Sequence, residues 1–466
     1  MQVGVAVEIR AGRDRRYPAG PRLLPRLLSG EAFRQSPAEF MLRTARAYGD
    51  LNHYRAFGRH VYQVNHPELV ADFFLKDAPH HHRNLVMQRA RDVLGNGLLT
   101  SEEPLHMRQR RLAQPAFLRE RIAAYGEVIG ANTLAVSGRW RPGEVVDVHR
   151  EMLELALRIV GKCLFDVDAL GDIAAMEEAV NSFMSFFPLA FVPFSRQIQR
   201  VPLPAMRRLE RGREWLDRLI YGMIAERRAD GRDRGDLLSM LLSSTEEGEG
   251  DGKESGPARM TDQQLRDECV TIILAGHETT ANALSFGLHL LARHPEVQER
   301  LHGEASEVLG GRPPTAADYG HLPYATRVFA ETLRMYPPVW VTARTVAEPY
   351  EIAGYRLPRG AVLVAPQYAV HRDPRFFPEP ERFDPERFTE EAKAGRPRYS
   401  YFPFAGGSRQ CIGEGLAWME GTLALAVIAR DWRLSPAAGG RAELAMKAAI
   451  SLRPSGGVPL RVERRR

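Results

Sequence analysis

The segment of the chain with the most chemical character is the ten-residue run FAGGSRQCIG, from Phe404 to Gly413. Cys411 stands at the start of a predicted helix, where free backbone N–H groups and the helix dipole stabilise a thiolate. Gly407 and Gly413 allow tight turns and close approach of the backbone to a flat ligand. Arg409 can bind a carboxylate through two hydrogen bonds. These residue types suit a thiolate that ligates haem iron, with Arg409 on a propionate; the alternative is a structural cysteine beside a glycine-rich turn.

This run matches the pattern Phe-x-x-Gly-x-Arg-x-Cys-x-Gly and resembles the haem-binding loop of the cytochrome P-450 superfamily, the haem-thiolate monooxygenases. The resemblance covers nearly the whole chain, because further family motifs follow in the family's order. It implies a mainly α fold with a small β-rich region, arranged as one triangular domain over residues 1–466. It also implies haem b as cofactor, Cys411 as the axial iron ligand, and Phe404 and Gly413 as cofactor contacts.

A second motif, AGHETT, begins at Ala275 inside a long predicted helix. Glycine within a helix costs about 1 kcal/mol relative to alanine, and the small Ala275 and Gly276 leave room for a flat ligand or dioxygen. Thr279 follows one turn later on the same face. The segment is similar to the family's oxygen-activation motif, which implies that the Thr279 hydroxyl donates to bound oxygen and that Glu278 relays protons. The alternative is a helix-packing glycine beside a solvated glutamate. His277 is not predicted to bind metal.

The sequence ETLR places Glu331 and Arg334 three residues apart, so that they can pair on one face of a helix. Alone, such a pair is an ordinary surface ion pair. The resemblance to the family's Glu-x-x-Arg motif implies instead a buried pair, joined by an arginine from a later Pro-Glu-Arg-Phe segment. The chain has two such segments, which carry Arg382 and Arg387. The second matches the family position, so Glu331, Arg334 and Arg387 are predicted to brace the thiolate loop.

Haem propionates need cations or hydrogen-bond donors. The resemblance places five candidates at family positions: His106, Arg110, Arg344, His371 and Arg409. The consecutive histidines 80–82 are not predicted to form a metal site, because neighbouring residues on a helix or strand point in different directions.

A phenylalanine-rich stretch falls where the family places the roof of its substrate channel, and its predicted substrate contacts are Phe183, Phe186 and Phe187. Plain helix packing is the alternative. The apolar character predicts a lipophilic substrate such as a fatty acid, a terpenoid or a steroid-like molecule. The reaction implied by the family is hydroxylation or epoxidation of that substrate with O2.

Two other functions remain open from the sequence. One is a haem-thiolate enzyme that uses peroxide or isomerises hydroperoxides, although such relatives typically lack an acid–alcohol pair like Glu278 and Thr279. The other is a non-catalytic haem protein that carries electrons or senses gas. Electron carriers usually fill both axial positions of the iron, which disfavours this reading for a helix with small residues at its centre.

Composition limits the partners. The chain has 466 residues, a formal charge of +6 and three cysteines. This mildly basic balance does not require nucleic acid, and no RNA- or DNA-binding motif is present. No flavin, nicotinamide or iron–sulfur fingerprint is present, so electrons are predicted to come from a separate ferredoxin or flavodoxin with its NAD(P)H reductase. Arg108, Arg111 and Arg409 are predicted to meet this acidic partner. Three thiols indicate a reducing compartment, hence the cytoplasm, and no apolar run predicts a membrane span.

The elements that must position these residues follow from periodicity and turn signals. A long helix is predicted from the N-cap Thr261 to Arg293. Residues 1–26 are predicted to form an N-terminal arm and residues 243–259 a mobile acidic loop. The other predicted helices are Gly143–Leu164, Arg207–Arg228 and Ile412–Arg430. The predicted strands are Leu51–Phe57, Val61–Asn65, Val339–Thr345, Tyr350–Ile352 and Ala361–Ala365.

Overall fold

The computed structural model describes residues 16–21, 36–56, 58–76, 78–167, 203–246, 258–438 and 444–465, together with residues 10, 175, 178, 179 and 182. Three predicted substrate contacts, Phe183, Phe186 and Phe187, lie outside the described residues. So do most of the N-terminal arm and most of the acidic loop, and these assignments stay predictions.

Helices dominate the described chain. The first eight are α1 (Pro37–Tyr48), α2 (Pro67–Phe74), α3 (Leu85–Leu94), α4 (Leu105–Ala113), α5 (Arg119–Ser137), α6 (Val148–Phe165), α7 (Pro204–Asp230) and α8 (Leu237–Ser243). The others are α9 (Asp262–Arg293), α10 (Pro295–Leu309), α11 (Ala316–Tyr319), α12 (Pro323–Met335), α13 (Gln367–Val370), α14 (Glu390–Ala394) and α15 (Glu414–Asp431). Within the described residues, none of these helices combines the length and apolar character needed to cross a bilayer.

The strands form small sheets. One five-stranded sheet has the order β1 (Leu51–Ala56), β2 (Arg59–Val64), β10 (Val362–Ala365), β7 (Thr342–Val346) and β3 (His81–Arg83). Its strands pair antiparallel except β2 with β10. A three-stranded sheet joins β11 (Trp432–Pro436), β14 (Pro459–Arg464) and β4 (Val145–Asp147). Two-stranded ladders pair β5 (Thr245–Glu246) with β6 (Ala258–Arg259), β8 (Tyr350–Ile352) with β9 (Tyr355–Leu357), and β12 (Met446–Ala448) with β13 (Leu452–Pro454).

Helix α9 forms the centre of the molecule. Thr261 caps it through a reciprocal pair of hydrogen bonds with Gln264, which satisfies two backbone groups at the helix start. Its 32 residues span about 48 Å at the usual rise per residue. Helices α6, α7, α12 and α15 pack around it, so that nearly every residue from Leu265 to Ala292 is buried.

The predicted helix Gly143–Leu164 begins too early. Residues Val145 and Val146 belong to strand β4, which pairs with β14 near the C-terminal end of the sequence. The next residue, Asp147, accepts a hydrogen bond from the His149 N–H and caps α6. Helix α6 therefore begins at Val148, because an N-cap follows immediately after the strand.

The core encloses an acidic side chain. Glu420 lies on α15, is 2% exposed, and its Oε1 atom has no hydrogen-bond partner. The next residue, Gly421, faces Phe329 of α12 so closely that a Cβ atom would overlap the ring. Burial therefore raises the pKa of Glu420 well above its usual range, and the side chain is protonated in the folded protein.

This carboxyl makes stability depend on pH. Above the ordinary carboxyl pKa the unfolded chain releases this proton while the folded chain keeps it. The free energy of unfolding therefore falls as pH rises, by about 1.4 kcal/mol per pH unit, until pH reaches the folded pKa. We expect Glu420→Gln to remove this slope, so that its denaturant midpoint exceeds that of the wild type at neutral pH. The exposed Glu391→Gln is the control. Equal slopes in all three proteins between about pH 5 and 8 would contradict the assignment.

Candidate active site

The loop around Cys411 is built by its own backbone. A short 3-10 turn, Gly407–Arg409, lies just before the cysteine, and α15 begins three residues after it. The Cys411 N–H donates to the Phe404 carbonyl at 3.0 Å. The Gly413 N–H donates to the Cys411 sulfur. The loop therefore holds the thiol in place from both sides of the chain.

Gly407 and Gly413 of this loop differ in whether the structure requires glycine there. Gly407 has φ +69°, and a Cβ atom there would overlap the Phe74 carbonyl. The expected need for glycine therefore holds at Gly407. Gly413 has φ −88°, and its Cβ would meet Phe117 at an ordinary 3.7 Å. The expected turn at Gly413 is present, but its φ does not require glycine, and its contribution to the site is its backbone N–H.

The Cys411 thiol is a weaker acid than the sequence suggests. Burial raises its pKa to about 11, while the Gly413 N–H and the nearby Arg110 act in the opposite direction. Cys411 lies three residues before the start of α15 at Glu414, outside the first turn in which the helix dipole acts. The Cys411 residue nevertheless retains solvent-accessible surface, unlike the other two cysteines. A coordinated metal ion would deprotonate such a thiol outright.

Helix α9 presents a small opening in its middle. Ala275 is exposed and Leu274 and Thr279 are half-buried, although the residues before and after them are buried. Since Ala275 and Thr279 are one turn apart, they share one face. Gly276 points elsewhere: a Cβ there would lie 2.8 Å from the Val160 side chain of α6. Gly276 is thus required by helix packing, and Ala275 alone provides the room that the sequence suggested for both.

The acid and the alcohol of the AGHETT segment point in different directions. The Thr279 hydroxyl donates to the Ala275 carbonyl at 2.6 Å and borders the opening. Glu278 is buried, and its Oε1 accepts from the Ser451 hydroxyl at 2.9 Å. Burial raises the Glu278 pKa, while Ser451 and Arg453 lower it. The adjacent His277 contacts the Leu153 carbonyl at 3.0 Å and is fully enclosed.

A group of buried cations lies beside the Cys411 loop. Arg83 of β3 and Arg344 of β7 are directly opposite each other across the strands. Like charges in that position repel, and burial together with Arg409 lowers the pKa of Arg344 to about 10. Arg409 donates to the Ser101 carbonyl at 3.0 Å. Its side chain is only 11% exposed, so it faces inward and not toward a docking partner.

Two carboxylates neutralise this group only in part. Glu102 and Glu103 lie 3.5 and 3.7 Å from the Arg409 guanidinium, which leaves three arginines against two acids. The Nε atom of Arg83 is buried without a hydrogen-bond partner. The surplus charge and this unused donor fit an anionic ligand. Arg83 was absent from the sequence predictions, because only the register of β3 on β7 brings it to Arg344.

Two predicted donors have other partners. The His106 Nδ1 atom lies 2.9 Å from Glu103 Oε1, and burial lowers the pKa of His106 to about 4. The ring is therefore neutral and carries a single N–H. Nδ1 needs that proton to donate to Glu103, so the other ring nitrogen, Nε2, cannot donate to a propionate. Arg110 donates to the Gln410 carbonyl at 2.6 Å, next to the cysteine.

His371 packs against the chain segment that precedes the Cys411 loop. Its Nε2 accepts from the Phe402 N–H at 2.9 Å, and its ring packs against Tyr401 and Phe402. Burial, with Arg334 and Arg372 nearby, holds the pKa of His371 well below its usual range. This neutral ring supports the backbone that leads to the Cys411 loop, and the propionate contact of His371 stays a prediction.

The structure brings the three predicted brace residues together. Arg334 donates to both carboxylate oxygens of Glu331 at 2.6 and 2.8 Å, and both side chains are fully buried. The Arg387 Nε atom lies 3.4 Å from Glu331 Oε1. Arg334 also donates to the His371 carbonyl at 2.9 Å. Arg382 instead reaches the surface, where it pairs with acids of its own segment.

Phe404 is half-buried, and its ring packs on Trp418 of α15 with 5.6 Å between ring centres. The histidines 80–82 lie at the edge of the five-stranded sheet, where His81 hydrogen-bonds with the Tyr350 hydroxyl at 2.8 Å. Within the part of the chain that the structure describes, no three metal-binding side chains converge.

Comparison with known proteins agrees with this geometry. The Cytochrome P450 family model matches residues 18–460. Cyclooctatin synthase of Streptomyces melanosporofaciens is 40% identical over 439 residues, which cover 92% of each chain. Cyclooctat-9-en-7-ol 5-monooxygenase of the same organism is 37% identical over 90% of each chain. Pentalenene oxygenase of Streptomyces avermitilis is 35% identical over 86% of this chain and 87% of that relative.

Among solved structures, the crystal structure of the cytochrome P450DA heme domain matches with a TM-score of 0.82. The two chains are 26% identical, and the match covers 97% of this chain and 98% of that chain. The chain belongs to the cytochrome P450 family and has its single-domain fold. It is a cytochrome P450 monooxygenase with a haem-iron cofactor. The family, the fold class and the enzyme class predicted from the Cys411 loop are confirmed.

Proposed function

We propose that this P450 hydroxylates or epoxidises a polycyclic terpenoid at a haem b group bound by Cys411. The observation that carries the proposal is the opening over Ala275, in a helix that is otherwise buried. The names of three relatives, with the substrates cyclooctat-9-en-7-ol and pentalenene among them, favour a terpenoid over a fatty acid. When bound, haem b supplies the redox-active iron at which dioxygen is activated.

The residues present fit haem. Cys411 is the one cysteine of the three that is exposed. Arg83, Arg344 and Arg409 supply buried guanidinium groups for two propionates, and Arg110 borders the cysteine from the other side. Phe404 supports the loop through its carbonyl, and Gly413 holds the sulfur through its N–H. His106 keeps Glu103 in place beside Arg409.

We further propose that Glu278 and Thr279 manage protons. The Thr279 hydroxyl borders the opening and must release the Ala275 carbonyl before it can donate into the site. Glu278 is shielded from solvent, and burial raises its pKa, so its carboxyl can hold a proton and pass it on. Arg453 stands 3.9 Å from Glu278 Oε1 with a partly exposed side chain.

The new propionate residue gives a prediction. A guanidinium bound to an anion contributes about 1.5–3 kcal/mol, which corresponds to roughly a 10- to 100-fold change in affinity. We expect Arg83→Met to release haem faster than the wild type by a factor in that range, with Arg83→Lys between them. The rate of haem transfer to apomyoglobin measures this. Arg111→Met, which changes an exposed arginine of α4, is the control. A wild-type rate in Arg83→Met would exclude the contact.

We assign the substrate pocket to a space lined by aliphatic side chains of three helices. A narrow cavity between α3, α7 and α9 is bordered by Leu94, Leu209, Leu216, Val270 and Leu274. Its two arginines, Arg213 and Arg266, both face Asp217, at 3.8 and 2.5 Å. Arg266 also lies 3.1 Å from Asp267. Because two carboxylates thus match the two guanidinium groups, the described lining favours a neutral molecule over a carboxylate.

Spectral titration of the ferric enzyme tests the substrate class. We expect cyclooctat-9-en-7-ol or pentalenene to shift the Soret band as they displace water from the iron. Palmitate, the matched lipophilic anion, should give no shift at the same concentration. A shift with palmitate and none with either terpenoid would overturn the terpenoid assignment and leave the monooxygenase chemistry standing.

We propose that electrons come from a separate ferredoxin or flavodoxin and its NAD(P)H reductase. Near the Cys411 loop, the described surface offers the exposed Met107 and Leu118 together with Arg111 and Arg119. An apolar patch with basic neighbours suits a small acidic protein. Arg409 is no longer part of this surface. The three cysteines are free thiols, which supports our placing of this reaction in the cytoplasm.

A further inference from the structure

Glu278 is held by a residue from a distant part of the chain. Its Oε1 accepts the Ser451 hydroxyl at 2.9 Å, and Ser451 lies just before β13, in the C-terminal region. Ser451 is 3% exposed and Glu278 is 5% exposed. The hydrogen bond between Ser451 and Glu278 is therefore shielded from water, and it joins two side chains that the fold holds in place.

The hydrogen bonds continue beyond Ser451. The Asn282 Nδ2 atom donates to the Ser451 oxygen at 3.2 Å, and the Asn282 Oδ1 atom lies 3.0 Å from His149 Nε2. Asn282 also lies within hydrogen-bonding reach of the Glu278 carboxyl. Four side chains from α6, α9 and the segment before β13 thus form one buried chain.

Counting donors fixes the direction of this chain. The Ser451 oxygen already accepts from Asn282, so its single proton is free to point to Glu278 Oε1. Asn282 uses its N–H2 toward Ser451, so its carbonyl oxygen faces His149, and His149 donates. Every proton in the chain points toward Glu278. Oε1 therefore accepts in this arrangement, which leaves Oε2 as the oxygen that can carry the carboxyl proton.

We propose that Ser451 is the positioning residue of the proton relay, since it immobilises one oxygen of Glu278 and leaves the other to exchange protons. The proposal rests on the role of Glu278 as the acid. In each cycle Oε2 gives one proton to the distal site beside Thr279 and regains one from solvent. The carboxyl is unchanged overall, and no other reactant is needed.

The charges that face Glu278 give the sign of the effect. Arg453 of β13 and the Ser451 hydroxyl both stabilise the carboxylate and lower its pKa, against the larger opposite effect of burial. His149, the other titratable member, is two hydrogen bonds away, and burial lowers its pKa. Loss of the Ser451 hydroxyl removes one stabilising donor. The Glu278 pKa must then rise, by about one to two pH units for a hydrogen bond to a charged group.

Infrared titration of the ferric holoenzyme tests this directly. The C=O stretch of the protonated Glu278 carboxyl is identified by its absence in Glu278→Gln. We expect its titration midpoint to rise by about one to two pH units in Ser451→Ala, and Ser451→Thr, which keeps the hydroxyl, to restore it. Ser455→Ala, an exposed serine four residues later, is the control. Arg453→Gln should also raise the titration midpoint. This variant is measured instead if Ser451→Ala does not fold.

The outcomes separate the two proposals. An unshifted midpoint in a Ser451→Ala enzyme with full haem content overturns the positioning role, whatever Glu278 does. A shifted midpoint supports it, together with a larger solvent isotope effect on turnover. If Glu278→Gln leaves turnover and its solvent isotope effect unchanged, the acid role of Glu278 fails, and the relay through Ser451 is overturned with it.

Discussion

Replacing Cys411 by histidine or alanine should abolish the absorption band at about 450 nm that a reduced, CO-bound haem-thiolate centre shows. The same spectrum should survive in Cys163→Ala and Cys269→Ala. These two cysteines are buried in α6 and α9, while Cys411 is exposed. Burial raises the pKa of Cys163 and of Cys269 above the usual range. Neither thiol is thus free to reach an iron atom.

The comparison among these variants is sharp because the three thiols differ in surroundings and not in chemistry. The Cys411 sulfur has a donating N–H from Gly413 and the Arg110 cation nearby, both of which stabilise a thiolate. Loss of the band in Cys163→Ala or Cys269→Ala, with retention in Cys411→Ala, would show that the wrong cysteine had been assigned. Haem content should be measured in parallel, because a variant without haem has no band for a trivial reason.

The elements predicted best are those whose signals are local. The start of α9 at Asp262 follows from the Thr261 cap, and its end at Arg293 follows from Pro295. Both signals lie within a few residues of the boundary, so no tertiary information is needed. The strand Tyr350–Ile352 was predicted with its observed bounds for the same reason, since its partner β9 is only a few residues away.

The errors arise where a partner is distant in sequence. Strand β4 was predicted as helix because its neighbour β14 comes more than three hundred residues later. Arg83 was missed since its place opposite Arg344 depends on the register of β3 against β7. Ser451 was missed likewise, because nothing near it in sequence indicates that it meets Glu278. Local pattern cannot supply contacts of this kind.

The sequence also could not predict in which direction the side chains of the site point. The motif placed Ala275 and Gly276 correctly on a central helix. It could not show which neighbouring element packs so closely that the position requires glycine. Its neighbour Val160 belongs to α6, and only the packing of α6 on α9 shows that Gly276 faces that helix. The family resemblance likewise predicted that His371 lies near a haem propionate. Its ring accepts the Phe402 N–H, a choice made by the fold of the loop.

The last prediction concerns the brace that supports the Cys411 loop. Glu331 and Arg334 are both fully buried and joined by two short hydrogen bonds, and Arg387 approaches the same carboxylate. The Asp384 N–H also donates to Glu331 at 3.0 Å. Removing one member of such a buried network leaves an unpaired charge, at about 3–5 kcal/mol. That is a large part of the stability of many domains.

We therefore expect Glu331→Ala and Arg334→Ala to yield protein that fails to hold haem, and not a folded enzyme with altered kinetics. Arg334 also holds the His371 carbonyl, so its loss disturbs the backbone behind the loop directly. Arg382→Ala is the matched control, because that arginine comes from the same repeated Pro-Glu-Arg-Phe motif but its side chain is 57% exposed. Surface pairs of this kind contribute under about 1 kcal/mol.

Haem content per polypeptide after purification measures the effect, with Arg387→Ala as the fourth variant. Arg387 makes a longer contact of 3.4 Å to Glu331 and donates to the Glu379 carbonyl, so we expect a loss between those of Arg334→Ala and Arg382→Ala. Full haem content in Glu331→Ala would show that the buried pair does not support the loop. Loss in Arg382→Ala with Arg387→Ala intact would show that the first Pro-Glu-Arg-Phe segment, and not the second, completes the brace.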